Sequence, residues 1–225
     1  MMNLDEFRRN ASLHSGGTSR LEIKHLILSI LKTYNKGLSL LDFGAGKGGL
    51  LSMLYELGWF SSLTGLDLYE RPTMLDNSIG WHQQDLNDPV IGLASYDVVI
   101  CSEVIEHLEN PRQTFRSLNQ LTKSGGTVIL SMPNNESLRS YLRLIVAGHY
   151  AGFSEASYPA HITALLRKDL ERMCGESNFS PPSFCYTNSG RIPYLTSYRW
   201  QDISFGVLKG RLFSDNICMM VAKIV

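Results

Sequence analysis

No run in this sequence approaches the roughly 18 consecutive apolar residues that a membrane-spanning helix requires, and Met1 to Arg20 is polar with early acids, so a soluble cytoplasmic protein is expected. A C-x-x-C pair is also missing. The four cysteines, Cys101, Cys174, Cys185 and Cys218, stand far apart, which argues against a disulfide framework and against a thiolate metal site. Nor does either charge sign dominate. With 21 Lys+Arg against 21 Asp+Glu, and no block of five like charges, the chain lacks the broad basic face of a nucleic-acid binder. The region after Pro133 is mildly basic, through Arg139, Arg143, Arg167, Lys168, Arg172, Arg191, Arg199, Lys209 and Arg211, but acids are interspersed and a solvated surface is expected there. Repeats and low-complexity tracts are absent. At 225 residues the chain is long enough for one well-buried core and short for two.

The most informative stretch present is Leu40-Leu41-Asp42-Phe43-Gly44-Ala45-Gly46-Lys47-Gly48-Gly49, an apolar strand that breaks into a glycine loop. A strand entering such a loop turns sharply into a helix while a ligand touches its backbone, and glycine permits both. Gly44, Gly46 and Gly49 satisfy G-x-G-x-x-G, a pattern shared by dinucleotide-binding proteins and other folds. The acidic Asp42 just before the turn and the tighter spacing of Gly44, Gly46 and Gly48 favour S-adenosylmethionine over a dinucleotide. Asp67 closes the next strand, where its carboxylate can accept hydrogen bonds from ribose hydroxyls. Asp85 ends the third strand at the same edge, placed to accept from an adenine amino group, with Leu86 packing on the ring.

Around this loop, periodicity predicts alternating elements. Ile23, Leu26, Ile27, Ile30 and Leu31 form the apolar stripe of a helix over 21–32. Strand 38–43, helix 48–58, strands 62–67, 79–84 and 96–101, helix 110–122 and strand 126–132 follow, then a helix over 166–176 and strands near 183–187 and 216–225. This order implies an α/β fold with a mostly parallel sheet and right-handed crossovers. The short link after Asp67, which contains Pro72, leaves little room for a crossover helix. Residues 136–162 read as a partly helical, aromatic-rich insertion and a candidate lid, with Tyr141, Tyr150, Phe153 and Tyr158. A long connection carries Tyr194, Tyr198, Trp200 and Phe205, equally suited to an acceptor pocket, a core or a dimer contact.

A second constellation follows the fourth strand: Ser102-Glu103-Val104-Ile105-Glu106-His107-Leu108. If this segment is helical, Glu103, Glu106 and His107 share one face beside the cofactor. Two carboxylates and an imidazole suit Mg²⁺, Mn²⁺ or Zn²⁺, with His161 as a fourth ligand. A metal-free base or orienting role for His107, or a cap and ion-pair cluster, uses the same residues. His14, His25, His82 and His149 are isolated and are read as surface or packing residues.

These motifs resemble those of the class I S-adenosylmethionine-dependent methyltransferases over about residues 38–180. The run from Leu40 to Gly48 looks like that family's first motif, Gly65-Leu66-Asp67 like its ribose site, Gln84-Asp85-Leu86 like its adenine site, and Tyr96-Asp97-Val98-Val99-Ile100 like its fourth strand. The segment from Ser102 to Leu108 is similar to that of ubiquinone-pathway O-methyltransferases and of small-RNA 3′-end 2′-O-methyltransferases. The resemblance implies a Rossmann-like sheet of seven strands, helices on both faces and the final strand antiparallel. Cofactor contacts are implied for Asp42, Gly44, Ala45, Gly46, Gly48, Asp67, Leu68, Asp85, Leu86 and Ser102. Catalytic roles are implied for His107, Glu103 and Glu106, and a divalent-metal set for Glu103, Glu106, His107 and His161. The organisation implied is one domain over 1–225, with an N-terminal helical segment (1–36), a cofactor core (37–133), a lid-like insertion (134–166) and a C-terminal part (167–225). Only Ala160-His161-Ile162-Thr163 stands where the RNA-methylating group has a longer histidine-rich segment, so the acceptor expected is a small molecule or a glycan- or lipid-linked precursor rather than nucleic acid. A dinucleotide oxidoreductase lacks a tyrosine-lysine pair here, and a metal-dependent RNA 2′-O-methyltransferase and a silent cofactor-binding module are the remaining alternatives.

Overall fold

The computed structural model describes residues 3–225. Its centre is a seven-stranded sheet made of β1 (Leu38–Phe43), β2 (Phe60–Asp67), β3 (Gly80–Gln83), β4 (Tyr96–Ser102), β5 (Thr122–Pro133), β6 (Ser183–Tyr186) and, after a short hairpin of β7 (Arg191–Ile192) and β8 (Leu195–Arg199), β9 (Asn216–Ala222). The order across the sheet is β3-β2-β1-β4-β5-β9-β6. β1 pairs in parallel with β2 and β4, β2 with β3, and β4 with β5. β9 runs against both of its neighbours, β5 and β6. This is the Rossmann-like arrangement that the motifs imply, with the final strand antiparallel.

Alternation along the strands builds two cores. Leu41 and Phe43, Val99 and Cys101, and Val128 and Leu130 face one side with Phe115, Leu118, Leu170 and Met173. Leu40, Val98, Ile100 and Ile129 face the other with Ile23, Ile27, Leu51 and Leu54. Successive side chains on a strand point to opposite faces, so a strand apolar at every position must be covered on both. The first face is covered by α4 (Pro111–Leu121) and α6 (Arg167–Glu176), the second by α2 (Leu21–Leu31) and α3 (Gly49–Leu57). The start of α4 is well specified: the Asn110 side chain accepts from the Gln113 N–H and Pro111 occupies the first turn.

Several segments depart from the sequence pattern. Helix α1 (Leu4–Ser15) precedes α2. Its signal is the Asn3-x-x-Glu6 start, in which Asn3 Oδ1 accepts from the Glu6 N–H. No helix joins β2 to β3, as the short link requires. β5 begins at Thr122 rather than 126, because Thr122 pairs with Tyr96 across a register shift. The insertion contains α5 (Leu138–Ala147), and the long connection folds into β7, β8 and α7 (Trp200–Ile203). The segment after β4 is not the full helical face considered above. Only Ile105–His107 forms a turn of 3-10 helix, and Glu103 has φ +57°. The four cysteines are free, Cys101, Cys174 and Cys218 buried and Cys185 partly so. Among the described residues no helix is long and apolar enough to cross a membrane.

Candidate active site

A cavity of about 330 Å³ opens at the carboxyl ends of the strands, where ligands bind in sheets of this kind. Asp42 near the end of β1 and Gly44, Ala45 and Gly46 in the loop after it, Asp67 at the end of β2 and Leu68 after it, Asp85 and Leu86 after β3, and Ser102 at the end of β4 with Glu103, Glu106 and His107 after it line the cavity. His161 reaches it from the insertion. Gly48 is not among the lining residues; it caps α3 in the left-handed conformation at φ +71° and so sets where that helix begins.

Backbone constraints shape the loop. Gly46 has φ +54° and donates its N–H to Asp67 Oδ2 at 2.7 Å, while a Cβ there would run into the Gly17 carbonyl. Gly44, at φ +83°, lies against Val104, whose methyl groups occupy the space a side chain would need. Glycine alone accommodates both demands. The Asp67 carboxylate also accepts from the Tyr69 N–H at 3.1 Å. Burial raises its pKa, and the hydrogen bonds from Tyr69 and Gly46 work against that rise.

Asp42 is only 3% exposed, and burial, followed by the neighbouring Asp67 charge, pushes its pKa up to about 7 while Lys24 pulls the other way. An unfolded aspartate titrates near 4. Ionising Asp42 therefore costs the folded state increasing stability as pH rises from about 4 to about 7, with the full cost above that. Asp42→Asn is expected to raise the melting temperature by several degrees at pH 8 and to leave it unchanged near pH 4, checked by calorimetric melts across that range.

Asp85 holds more partners than its sequence position suggests. Its Oδ1 accepts from the Asn87 N–H and side-chain amide, and its Oδ2 from Arg8 at 3.1 Å. Arg8 also forms a two-pronged pair with Glu109 at 2.9 and 2.8 Å. It thereby ties α1 across the mouth of the cavity, where Phe7, Ala11, Ser12 and Ser15 form a wall. The helix lies within the N-terminal helical segment expected over 1–36, but the polar character of Met1 to Arg20 gave no hint that it borders the site, although Phe7, Ala11 and Ser15 recur at helical spacing. Arg8→Ala is expected to speed amide exchange over residues 4–15 severalfold and leave β1 and β4 protected, read by hydrogen-exchange mass spectrometry. Unchanged protection of α1 would show that the ion pairs do not hold it.

Deeper in the cavity, Glu106, His107 and His161 converge, with one donor atom from each lying within 4.8 Å of the others. The 3-10 turn presents the first two, and the Ile162 and Thr163 N–H groups, both bonded to the Glu106 carbonyl, bring in the third. His107 Nδ1 donates to the Ala160 carbonyl at 2.8 Å and His161 Nδ1 to the Gly152 carbonyl at 2.7 Å. A carbonyl can only accept, so both rings carry the proton on Nδ1 and leave the Nε2 lone pair free. Burial lowers the His107 pKa to about 4, and that of His161 also falls. Neither carboxyl oxygen of Glu106 meets a hydrogen-bonding partner, and burial, then the Glu103 charge, raises its pKa.

Glu103 lies outside this trio. Its carboxylate accepts from Asn216 at 3.0 Å and more distantly from Ser131 at 3.4 Å. Burial raises its pKa to about 7 against the opposing effects of Arg20, Asn216 and Ser131. A left-handed backbone at a residue with a side chain costs on the order of 1–3 kcal/mol, and such strain concentrates at functional sites. From the candidate lid, the Phe153 ring lies 5.5 Å from that of His161, tilted by 60°. Tyr194, Tyr198 and Phe205 are exposed, and Trp200 packs on Phe213.

Comparison with known proteins agrees with this fold. A family described as a methyltransferase domain matches residues 17–181. The ubiquinone biosynthesis O-methyltransferase of Erwinia tasmaniensis is 32% identical over 123 residues, 51% of this chain and 49% of that protein. The chain thus spans about half the length of the curated relatives it matches. An S-adenosylmethionine-dependent methyltransferase from Archaeoglobus fulgidus superposes with a TM-score of 0.60 at 18% identity, over 91% of this chain and 95% of that one. The methyltransferase domain of bacterial CtHen1-CN gives 0.58 at 22% identity, over 90% and 98%.

Proposed function

Since the chain belongs to the methyltransferase-domain family and has the class I S-adenosylmethionine-dependent fold, we propose that it methylates an oxygen nucleophile on a small-molecule or glycan- or lipid-linked acceptor. The observation that carries the choice of oxygen is the pair of neutral imidazoles with free Nε2 atoms beside the buried Glu106, at the floor of the cofactor cavity. A hydroxyl becomes a competent nucleophile as it loses its proton, and this cluster is the basic group within reach.

In this reading Asp67 accepts from the ribose hydroxyls, Asp85 and Leu86 hold the adenine, and Gly44 and Gly46 let the cofactor lie against the backbone. The cavity fits such a ligand: it runs from the glycine loop past three acidic strand ends to the histidines. S-adenosylmethionine supplies an already activated methyl group. The remaining work of the chain is alignment, exclusion of water and removal of one proton. His107 Nε2 takes the acceptor proton. The Ala160 carbonyl fixes its ring, and Glu106 stabilises the imidazolium that forms. Helix α1 borders the mouth of the cavity.

A second reading rests on the orphaned Glu106 oxygens. A buried carboxyl without a partner is costly, and two histidines with backbone-anchored Nδ1–H groups are arranged as metal ligands commonly are. The donor set of Glu106, His107 and His161 suits a divalent ion, with Glu103 held by Asn216 and Ser131 rather than in the trio. Such an ion would lower the pKa of an acceptor hydroxyl.

The testing experiment is calorimetric titration with S-adenosylhomocysteine, with NADH as control, followed by an acceptor screen using methyl-labelled donor with and without Mg²⁺, Mn²⁺ or Zn²⁺. Saturable binding of S-adenosylhomocysteine but not NADH, and label on an acceptor oxygen, are expected. Binding without any acceptor would favour a silent cofactor-binding module, and no binding would remove the reading altogether.

A further inference from the structure

Next to the cofactor cavity, on the β9 side, lies a smaller recess of about 130 Å³ lined by Arg20, Arg191, Arg199, Ser189, Asp215 and Asn216. The two spaces share a wall. Arg20 borders both, and Asn216, at the rim of the smaller one, donates to Glu103 in the larger.

The charges in this recess do not balance. A single oxygen, Asp215 Oδ2, faces Arg191 at 3.2 Å, Arg139 at 3.5 Å and Arg20 at 3.9 Å. Arg199 pairs with Glu22 at 2.8 Å. Four guanidiniums thus share two carboxylates, with the Glu103 carboxyl beyond Arg20 in the neighbouring cavity. Each guanidinium offers five N–H donors, far more than one carboxylate oxygen can accept. Arg191 registers the imbalance: burial lowers its pKa first, and Arg20, Arg139 and Arg199 each add to the drop against the opposing pull of Asp215. Like charges gathered at the wall of a site are a standing cost unless an anion joins them, and planar guanidiniums match the oxygens of a phosphate group two at a time. The recess itself is lined by three guanidiniums, Arg20, Arg191 and Arg199, against Asp215 and Glu22, and Arg139 adds to the crowd around Asp215, so net positive charge is left for an anion.

We propose that this recess is the anion subsite of the acceptor, which carries a phosphate monoester or diphosphate. The phosphate group sits among Arg20, Arg191 and Arg199, and the hydroxyl to be methylated extends past Arg20 and Glu103 to His107. The acceptor role rests on the methyltransferase reading above; the anion site itself does not.

The test is calorimetric titration of the full chain with inorganic phosphate and with inorganic pyrophosphate at fixed ionic strength, so that screening is held constant. Sodium acetate serves as the monoanion arm, and every titration is repeated with saturating S-adenosylhomocysteine. Saturable binding of phosphate or pyrophosphate is expected, undisturbed by S-adenosylhomocysteine and at least tenfold tighter than acetate. The stronger of the two ligands distinguishes a monoester from a diphosphate. The double variant Arg191→Gln, Arg199→Gln should weaken this binding at least tenfold while still binding S-adenosylhomocysteine normally, and Arg191→Lys should weaken it less. The proposal falls if neither anion saturates, if acetate binds equally well, if the double variant binds as the parent does, or if S-adenosylhomocysteine displaces the anion. Phosphate binding without any binding of S-adenosylhomocysteine would overturn the acceptor role and leave an anion site.

Discussion

Replacing His107 by alanine is expected to lower methyl-transfer turnover by about 10²–10⁴-fold, the usual span for loss of a positioned base, with affinity for S-adenosylhomocysteine within about threefold of the parent. His107 is none of the residues assigned to the ribose, the adenine or the glycine loop, so its removal leaves those contacts in place. The measurement is kcat on the first acceptor that the screen returns, alongside calorimetry of the cofactor product. The pH profile gives a second readout. The His107 pKa is lowered to about 4 by burial, so the imidazole is neutral through the physiological range, and turnover should fall only as pH drops through about 4. An imidazole resonance titrating near pH 4 and missing from the variant identifies the group by NMR. Imidazole added to the variant should restore part of the rate if His107 acts as a base. Loss of Mn²⁺ or Zn²⁺ binding in the variant would instead favour the metal reading. Unchanged turnover would exclude both.

The second large effect concerns Asp67. Its carboxylate is 7% exposed, already accepts from Gly46 and Tyr69, and retains acceptor capacity toward the cavity. Hydrogen bonds to a charged group contribute about 1.5–3 kcal/mol each. Two such bonds to ribose hydroxyls make Asp67→Ala about 100-fold or more weaker for S-adenosylhomocysteine. Because Asp67 also holds the Gly46 N–H, part of the loss will come from a loosened loop. Asp67→Asn separates the two contributions. Its amide oxygen can still accept from Gly46, so the loop should stay formed while the charge is gone, with a loss of roughly tenfold. Equal affinity in parent and alanine variant would place the ribose elsewhere.

The arginine recess changes how the composition reads. The basic residues after Pro133 look like a solvated surface in the sequence because acids are interspersed among them. In the fold, Arg139 from α5 and Arg191 from β7 meet Arg20 around Asp215, and Arg199 from β8 joins the same recess paired with Glu22, so guanidiniums outnumber carboxylates there. Net charge of zero over the chain therefore coexists with a local excess.

Much of this architecture was legible from local pattern. Leu40, Leu41 and Phe43 are apolar because β1 is buried on both faces. Gly44 and Gly46 are glycine because their backbone angles and their neighbours Val104 and Gly17 allow no side chain. Such constraints act within a few residues and leave a periodic or compositional trace, which is why the succession of strands and helices, the glycine loop and the acidic residues that close the strands could be anticipated. Tertiary structure alone decided the rest. His161 joins Glu106 and His107 because backbone hydrogen bonds from Ile162 and Thr163 carry the chain to the 3-10 turn. Glu103 turns toward Asn216 because its left-handed backbone breaks the helical face that its spacing suggested. Arg8 closes the cavity by pairing with Asp85 and Glu109, residues far along the chain. None of these contacts has a period or a motif, since each depends on where loops at one edge of the sheet meet. The sequence by itself determined the sheet and the glycine loop at its carboxyl edge; the packing of its loops determined which side chains line the cavity there.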